Sequence, residues 1–265
     1  MTALIFPGDY YISAATGGQD IGDSGPIVVL VHGAGMDRTA WSLQTRWLAH
    51  HGCPAIAIDL PGHGASPEGE LPSIDTYAEW LAGLVRAMDR PVHVVGHSMG
   101  SFIALECAPK VELASITLVG TAAAMPVHPA LLDAAEANDP LAAQLKAGWA
   151  FAPATRTGPH PSPGNSMVGA NLAMVAQTKN GVLFKDLSAC VDYQSAVETA
   201  ASLSLPVTFL LGALDKMTPV RAAQPLVDAI AHATVEIVPG VGHMVMIEAP
   251  KATRANIAAT VGPHV

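Results

Sequence analysis

The sequence predicts an α/β fold in which a mostly parallel central sheet is flanked by helices and carries an inserted helical cap. Short β-branched runs alternate with amphipathic stretches, the runs are apolar throughout, and the alternation stops between Met125 and about Ser202. Such alternation is typical of parallel strands joined by covering helices, and continuously apolar strands are typical of a sheet buried on both faces. We therefore expect a core at 1–124 and 203–265 and a cap at 125–202.

Six apolar runs are the predicted strands of the core. They lie at 27–31, 55–58, 92–95, 116–119, 207–211 and 235–238. An earlier segment, 10–13, is expected to form one arm of an antiparallel hairpin at the sheet edge. Apolar residues recur at helical spacing over 74–88, where Ser73 is placed to cap the first turn, so this stretch is a predicted helix.

The inserted region differs from the core in its pattern. It contains helical pieces at 129–137, 141–149 and 172–178 and a Pro/Gly-rich stretch at 153–169, with no convincing strand. The region is too long for a simple connection, so we expect it to lie over the strand ends, exclude water and shape a pocket. A flexible surface insertion is the alternative, but it would leave Trp149 and Phe151 exposed.

Bulk composition excludes several classes of protein. The chain has 265 residues, of which 50% are hydrophobic and 13% charged, and its net charge is −9. The absence of a basic cluster disfavours nucleic acid and anionic membranes as partners. No apolar run approaches the roughly 20 residues of a membrane-spanning helix, and the N-terminal segment lacks a secretory signal, so a cytoplasmic location is expected. Three scattered cysteines predict buried thiols rather than disulfides.

A Gly-His-Ser-Met-Gly pentapeptide at 96–100 lies between an apolar β-type run and a helix-like run. A serine at the tip of a sharp strand-to-helix turn adopts a strained backbone, and its neighbours two residues away need almost no side chain. Gly96 and Gly100 meet that demand. The turn exposes the serine hydroxyl, and the following helix offers N–H groups and a positive dipole end to an oxyanion. Ser98 is therefore the predicted nucleophile.

A serine nucleophile needs a base to take its proton, and the base needs a carboxylate to hold its tautomer. Two turns downstream each follow a predicted strand. The first carries Asp215, the predicted acid, and the second is Gly-rich and carries His243, the predicted base. Activity should then fall below neutral pH as His243 takes up a proton. Asp192 precedes the same strand as Asp215 and Asp186 lies nearby, so both remain alternative acids.

Five motifs, spread over nearly the whole chain, resemble those of the α/β-hydrolase-fold serine hydrolases in sequence and in order. They are His-Gly-Ala-Gly at 32–35, Asp-Leu-Pro-Gly-His-Gly at 59–64, the serine pentapeptide, the Asp215 turn and the Gly-His pair that ends at His243. The resemblance implies an oxyanion hole made by the backbone N–H groups of Ala34 and Met99. Small residues at 33–35 would let the backbone approach a substrate.

The remaining histidines of these motifs have a structural interpretation. His63 and His97, together with His32, are expected to hold loop backbones through hydrogen bonds rather than to act as further bases or ligands. Neither a His-Glu-x-x-His motif nor a phosphate-binding glycine loop is present, so no metal and no cofactor are predicted. The candidates for substrate contact are His32, Gly33, Trp149 and Met217.

The predicted reaction is cleavage of a carboxylic ester of a small to medium apolar substrate through an acyl-enzyme on Ser98. The same residues would serve a hydrolase of carbon–carbon bonds in ring-cleavage dienoic ketoacids, a lactonase or a perhydrolase. Arg156 is the only arginine in the predicted cap, which disfavours the carbon–carbon hydrolase. An alternative from a different functional class is a ligand receptor of the same fold that hydrolyses its ligand slowly or not at all. The natural substrate and the oligomeric state are left open.

Overall fold

A computed structural model describes residues 2–7, 10–67, 69–158 and 166–262. These residues include eight strands, which form one sheet. In chain order the strands are β1 (Thr2–Phe6), β2 (Tyr10–Ala15), β3 (Ile27–Val31), β4 (Ala55–Ile58), β5 (Val92–His97), β6 (Ser115–Val119), β7 (Val207–Gly212) and β8 (Thr234–Val238). Their order across the sheet is β1-β2-β4-β3-β5-β6-β7-β8. From β4 to β8 all neighbouring strands are parallel, as predicted.

The six predicted strands are all present, and each agrees with its predicted bounds to within two residues. The segment at 10–13 belongs to β2, which pairs antiparallel with both β1 and β4. The segment is thus one arm of an antiparallel hairpin at the sheet edge, as predicted, with β1 as the outermost strand.

Helices cover both faces of the sheet. Those outside the β6 to β7 connection are α1 (Ser42–His50), α2 (Ile74–Met88), α3 (Met99–Cys107), α10 (Val220–Ala229), α11 (Val245–Glu248) and α12 (Pro250–Val261), with a 3-10 turn at Arg38–Trp41. Helix α2 has its predicted bounds, and Ser73 forms a capping box with Thr76.

Alternate residues of the strands pack into two separate hydrophobic cores, one on each face of the sheet. Val29 belongs to the core that contains Phe102 of α3, whereas its neighbour Val28 belongs to the core that contains Leu48 of α1 and Ile257 of α12. Successive side chains of a strand point to opposite faces. The continuously apolar strands are therefore explained by a sheet that is buried on both sides.

In the described part of the connection between β6 and β7 there are six helices. They are α4 (Pro129–Glu136), α5 (Leu141–Ala150), α6 (Pro153–Thr157), α7 (Met167–Ala176), α8 (Val182–Asp192) and α9 (Ala196–Ala201). Helices α4 and α5 match their predictions closely, and α7 starts five residues earlier than predicted. The sequence did not indicate α6, α8 or α9 as helices. Part of the Pro/Gly-rich stretch, 159–165, lies outside the described residues.

Helices α8 and α9 contact α3, and α9 also packs on α10, so the end of the predicted cap lies against core helices. The division into core and cap at 125 and 202 stays a prediction. Cys53, Cys107 and Cys190 are buried free thiols, as predicted. Within the described ranges, no helix combines the length and the apolar character needed to cross a membrane.

Candidate active site

The turn between β5 and α3 holds Ser98 in a strained conformation. Ser98 has φ 53° and ψ −120°, a left-handed backbone that is unfavourable for a residue with a Cβ. Its N–H donates to the carbonyl of Val119 at 2.9 Å, and its carbonyl accepts from the N–H of Ser101 at 2.8 Å. These bonds to β6 and to the first turn of α3 hold the strained residue in place.

Two glycines allow this turn to form. A Cβ added at Gly96 would lie 2.0 Å from the carbonyl oxygen of Gly100, and one added at Gly100 would lie 2.6 Å from that of His32. Real Cβ atoms do not approach backbone oxygens so closely. Alanine at position 96 would therefore keep α3 from packing on β5, and alanine at position 100 would keep it from packing on the end of β3. The steric demand inferred from the pentapeptide is met in the structure.

Asp215 and His243 are hydrogen-bonded to each other, although they lie on turns after different strands. Oδ2 of Asp215 accepts from Nδ1 of His243 at 2.8 Å, and Oδ1 accepts from the N–H groups of Met217 and Thr218 at 2.8 Å each. The hydroxyl of Thr218 also donates to Oδ2, at 2.8 Å. An Nδ1–H that donates to the carboxylate leaves Nε2 of His243 as the atom able to accept a proton.

The surroundings of Asp215 favour its ionised form. Burial opposes ionisation, but the charge and hydrogen bond of His243 and the hydrogen bonds from Thr218 outweigh it and lower the pKa of Asp215. The predicted rival acids lie elsewhere. Asp186 is buried and hydrogen-bonded to His63, and Asp192 is exposed at the end of α8. Of the three carboxylates, Asp215 is the one that contacts His243.

The backbone of His243 is anchored on the insertion and on β5. Its N–H donates to the carbonyl of Ala150 in α5 at 2.7 Å, and its carbonyl accepts from Nε2 of His97 at 3.0 Å. Burial and the neighbouring His243 hold the pKa of His97 well below its usual range, so His97 is a neutral donor. His97 therefore positions the backbone of His243, which is the kind of role predicted for it.

His32 links two loops at the same edge of the sheet. Its Nδ1 donates to the carbonyl of Gly33 at 2.9 Å, and its Nε2 accepts from the N–H of Leu60 at 3.2 Å. This pattern requires a neutral ring. Burial and the nearby His63 hold the pKa of His32 well below its usual range, which agrees with that requirement.

The backbone of Ala34 and Gly35 is held by three side chains of the insertion. Nζ of Lys146 donates to the carbonyl of Ala34, and the N–H of Gly35 donates to Oδ2 of Asp186 at 2.7 Å. The hydroxyl of Thr178 donates to the carbonyl of Gly35 at 2.9 Å. Their contacts could not be predicted, because nothing in their local sequence indicates which distant loop they contact.

Asp186 also connects the insertion to the turn after β4. Its Oδ2 accepts from Nε2 of His63 at 2.8 Å, and Nδ1 of His63 donates to the carbonyl of Pro61 at 3.0 Å. Burial alone would lower the pKa of His63, but the charge and hydrogen bond of Asp186 outweigh burial and raise it. A buried pair of His63 and Asp186 thus lies behind the Ala34 loop.

A cavity of about 350 Å³ lies where these loops meet the insertion. Ser98, His243 and Ala34 all line it, as do Trp149 and Met217, two of the candidates for substrate contact. The other two candidates, His32 and Gly33, are buried and do not line this cavity. The remaining apolar lining consists of Met125, Pro126, Val127, Leu131, Leu187 and Cys190.

The residues predicted to supply oxyanion donors are placed at the same edge of the sheet. Ala34 lines the cavity, and Met99 is the first residue of α3, where N–H groups have no intrahelical acceptor. In the part of the chain that the structure describes, the Ala34 N–H has no hydrogen-bond acceptor. No group of three or more metal-ligating side chains occurs within the described residues.

Comparison with known sequence families agrees with the fold and the positions of these loops. The model of the alpha/beta hydrolase family matches residues 28–256, which include all but the first residue of β3 and every loop described above. The chain belongs to the alpha/beta hydrolase family. The eight-stranded sheet, the turn at Ser98 and the hydrogen bond between Asp215 and His243 are features of this alpha/beta hydrolase.

Two curated relatives align with part of this alpha/beta hydrolase. The pimeloyl-[acyl-carrier protein] methyl ester esterase of Methylococcus capsulatus is 42% identical over 97 residues, which cover 36% of this chain and 37% of that protein. Protein phosphatase methylesterase 1 of Mus musculus is 35% identical over 94 residues, covering 33% of this chain and 24% of that protein. The match thus spans about a third or less of each relative.

Solved structures resemble the chain over almost its whole length. A thermophilic esterase superposes with a TM-score of 0.79 at 26% identity and covers 98% of both chains. An esterase from Exiguobacterium antarcticum superposes with a TM-score of 0.83 at 18% identity, again over 98% of both chains. At 18% identity the second likeness shows the fold alone.

Proposed function

We propose that this alpha/beta hydrolase cleaves a carboxylic ester of a small to medium substrate through an acyl-enzyme on Ser98. The observation that carries the proposal is the 2.8 Å hydrogen bond from His243 to Asp215, which leaves Nε2 of His243 free at a cavity that Ser98 also lines. A nucleophile, a base and an acid are the groups that acyl transfer requires. The esterase relatives add independent support.

In the first half of the proposed reaction, Oγ of Ser98 attacks the ester carbonyl and forms a C–O bond while Nε2 of His243 takes the hydroxyl proton. The carbonyl electron pair moves to oxygen, and the N–H groups of Ala34 and Met99 stabilise the oxyanion. Asp215 holds the imidazole and stabilises its positive charge. The C–O bond to the alcohol then breaks, and His243 gives the leaving oxygen its proton.

In the second half, water attacks the acyl-enzyme and His243 removes a proton from that water. The tetrahedral intermediate collapses, the bond to Ser98 breaks, and His243 returns the proton to Oγ. The carboxylic acid leaves, and Ser98 regains its hydroxyl group. No step draws on a group outside the chain except water.

The shape of the cavity limits the proposed substrate. A volume of about 350 Å³ is at the small end of ligand pockets, and most of its lining is apolar. Helices of the insertion supply Trp149 and Leu187, so this region would act as the proposed cap. Acyl groups of short to medium length should fit, and long lipid chains should not.

Labelling with a fluorophosphonate tests for an activated serine. The wild-type protein should be labelled, and Ser98→Ala should not. Ser202→Ala removes an exposed hydroxyl at the end of α9 and should be labelled like the wild type. Equal labelling of Ser98→Ala and the wild type would contradict the assignment of Ser98.

A substrate panel tests the reaction. Rates with p-nitrophenyl esters from acetate to palmitate should peak at short or medium chains, because the cavity is small. The panel should include a lactone and a ring-cleavage dienoate, since the same residues could act on either. Faster turnover of the lactone would instead indicate a lactonase, and faster turnover of the dienoate would indicate a carbon–carbon hydrolase. Labelling of Ser98 without turnover of any substrate would indicate a receptor.

A further inference from the structure

A buried lysine in the cavity wall takes no part in the bond making or proton transfer of the proposed ester cleavage. Lys146 lies on α5, and its side chain lines the cavity together with Ser98 and His243 although the residue is only 4% exposed. Its ammonium donates to the carbonyl of Ala34, which also lines the cavity. An ammonium has three N–H donors, so this bond leaves two of them available.

The charge of Lys146 is not balanced within the cavity wall. Among the residues that the structure describes, the lining contains a second lysine, the exposed Lys216, and no Asp or Glu. Among the described residues, Lys146 forms no ion pair, and the nearby Asp186 is hydrogen-bonded to Gly35 and His63 instead. A buried charge without a partner is costly, so a ligand that brings a negative charge into this cavity would offset that cost.

The protonation of Lys146 is compatible with binding an anion. Burial lowers its pKa to about 8, and the charge of Asp186 keeps it from falling further. The side chain is therefore mainly an ammonium at neutral pH. A bound carboxylate would favour the charged form more strongly.

We propose that Lys146 binds a carboxylate on the acyl part of the substrate, so that the enzyme prefers half-esters of short dicarboxylic acids to neutral esters. The inference rests on the proposed ester hydrolysis and narrows its substrate class. Lys146 contacts the carbonyl of Ala34, and the N–H of the same residue is the proposed oxyanion donor. The bound carboxylate and the reacting carbonyl would therefore be close together, which requires a short spacer.

The experiment compares esters that differ in one group. Monomethyl succinate, glutarate and adipate carry a carboxylate where methyl butyrate, pentanoate and hexanoate carry a methyl group. For each pair the ratio of kcat/KM, half-ester over neutral ester, measures the preference for the charge. In the wild type this ratio should exceed one for at least one pair.

Three variants separate the charge of Lys146 from its hydrogen bond. Lys146→Gln keeps an N–H donor but removes the charge, and it should lower the ratio about 10- to 100-fold, the range typical of a hydrogen bond to a charged group. Lys146→Arg keeps the charge and should retain a ratio above one. Lys179→Gln removes an exposed lysine of the same insertion and should keep the wild-type ratio.

If Lys146 only positioned the Ala34 loop, the kinetics of its variants would differ from those expected here. Lys146→Gln would then lower kcat/KM for both esters of a pair equally and leave the ratio unchanged, which would overturn the proposal. A wild-type ratio of one or less for every pair would overturn it as well. In either case hydrolysis of the neutral esters would still support the proposed function.

A binding measurement keeps the inference separate from turnover. Titration calorimetry of succinate and glutarate into the wild type and Lys146→Gln should show a dissociation constant about 10- to 100-fold higher in the variant. If Ser98 is not labelled and no ester is cleaved, the proposed function fails. Lys146-dependent binding of the diacids would then still support the carboxylate site, and unchanged binding would exclude it.

Discussion

Asp215 is held as a carboxylate by its immediate neighbours, although it is buried. Two backbone N–H groups, the hydroxyl of Thr218 and the ring of His243 all donate to its oxygens. Each of these bonds stabilises the charged form, and together they outweigh the cost of burial. The carboxylate can therefore hold His243 in the tautomer that leaves Nε2 as a proton acceptor.

The first prediction concerns this carboxylate. Asp215→Asn should lower kcat for a short ester about 10³- to 10⁴-fold, because an amide does not hold the required tautomer or stabilise the imidazolium. Asp192→Asn is a matched control at an exposed carboxylate and should retain wild-type kcat. Steady-state kinetics with p-nitrophenyl butyrate measure both. A similar loss in the two variants would contradict the assignment of Asp215.

The second prediction follows from the protonation of Lys146. Because its pKa is lowered to about 8, the ammonium of the free enzyme should lose its proton as the pH rises through that value. The ratio of kcat/KM for half-ester over neutral ester should therefore fall between pH 7 and 9. The ratio cancels any effect of pH that is common to both esters. Lys146→Arg should show a flat ratio, and a flat wild-type ratio would contradict the prediction.

At the scale of elements, the turn from β5 to α3 depends on backbone packing more than on side chains. Helix α3 approaches β5 and the end of β3 so closely that a Cβ at Gly96 would lie 2.0 Å from a carbonyl oxygen and one at Gly100 would lie 2.6 Å from another. The strained φ of Ser98 is then held by hydrogen bonds to β6 and α3. The position of Ser98 at the cavity therefore depends on β5, the turn and α3 together.

The third prediction tests this unit. Gly96→Ala should destabilise the protein by about 3 kcal/mol or more and abolish ester hydrolysis, because its Cβ would lie 2.0 Å from a carbonyl oxygen. Gly148→Ala places a Cβ within α5 where nothing lies within 4 Å, and it should stabilise the protein by about 0.5 to 1 kcal/mol. Chemical unfolding and ester hydrolysis check both variants. Wild-type stability in Gly96→Ala would exclude the close packing described here.

The elements that the sequence predicted well carry strong local signals. Helix α2 combines apolar residues at helical spacing with the cap at Ser73, and its predicted bounds are those of the structure. Helices α6 and α9 have only five and six residues, too short for a clear periodic pattern. Helix α8 follows the left-handed Gly181 and has no side-chain cap, so its start carries no recognisable signal.

At the scale of the whole molecule, the insertion and the sheet are joined through buried polar contacts at the cavity. Asp186 of α8 bridges the Gly35 backbone and His63, and Lys146 of α5 holds the neighbouring carbonyl of Ala34. The carbonyl of Ala150 in the same helix accepts from the N–H of His243. Movement of the insertion would therefore disturb the proposed oxyanion loop and the proposed base together.

The fourth prediction concerns the pair of His63 and Asp186. The pKa of His63 is raised in the folded protein, so its contribution to stability is fully present below the unfolded value of about 6.5 and is lost as the pH rises through the folded value. His63→Gln should therefore cost more stability at pH 6, about 3 kcal/mol, than at pH 8.5. Urea unfolding at the two pH values measures the difference.

The control for this pair is an exposed histidine. His50→Gln changes a residue at the end of α1 and should leave the unfolding free energy within about 0.5 kcal/mol of the wild type at both pH values. A cost of His63→Gln that is equal at pH 6 and pH 8.5 would show that the charge of His63 does not contribute.

The sequence by itself determined the α/β class, the six core strands and the turn at Ser98, because apolar periodicity and glycine spacing are local properties of the chain. It also indicated Asp215 and His243, because the carboxyl ends of parallel strands meet at one edge of the sheet. Only the tertiary structure decided which carboxylate contacts His243 and where Lys146 and Asp186 lie. Those contacts join residues far apart in the chain, and their partners are set by how the helices pack on the sheet.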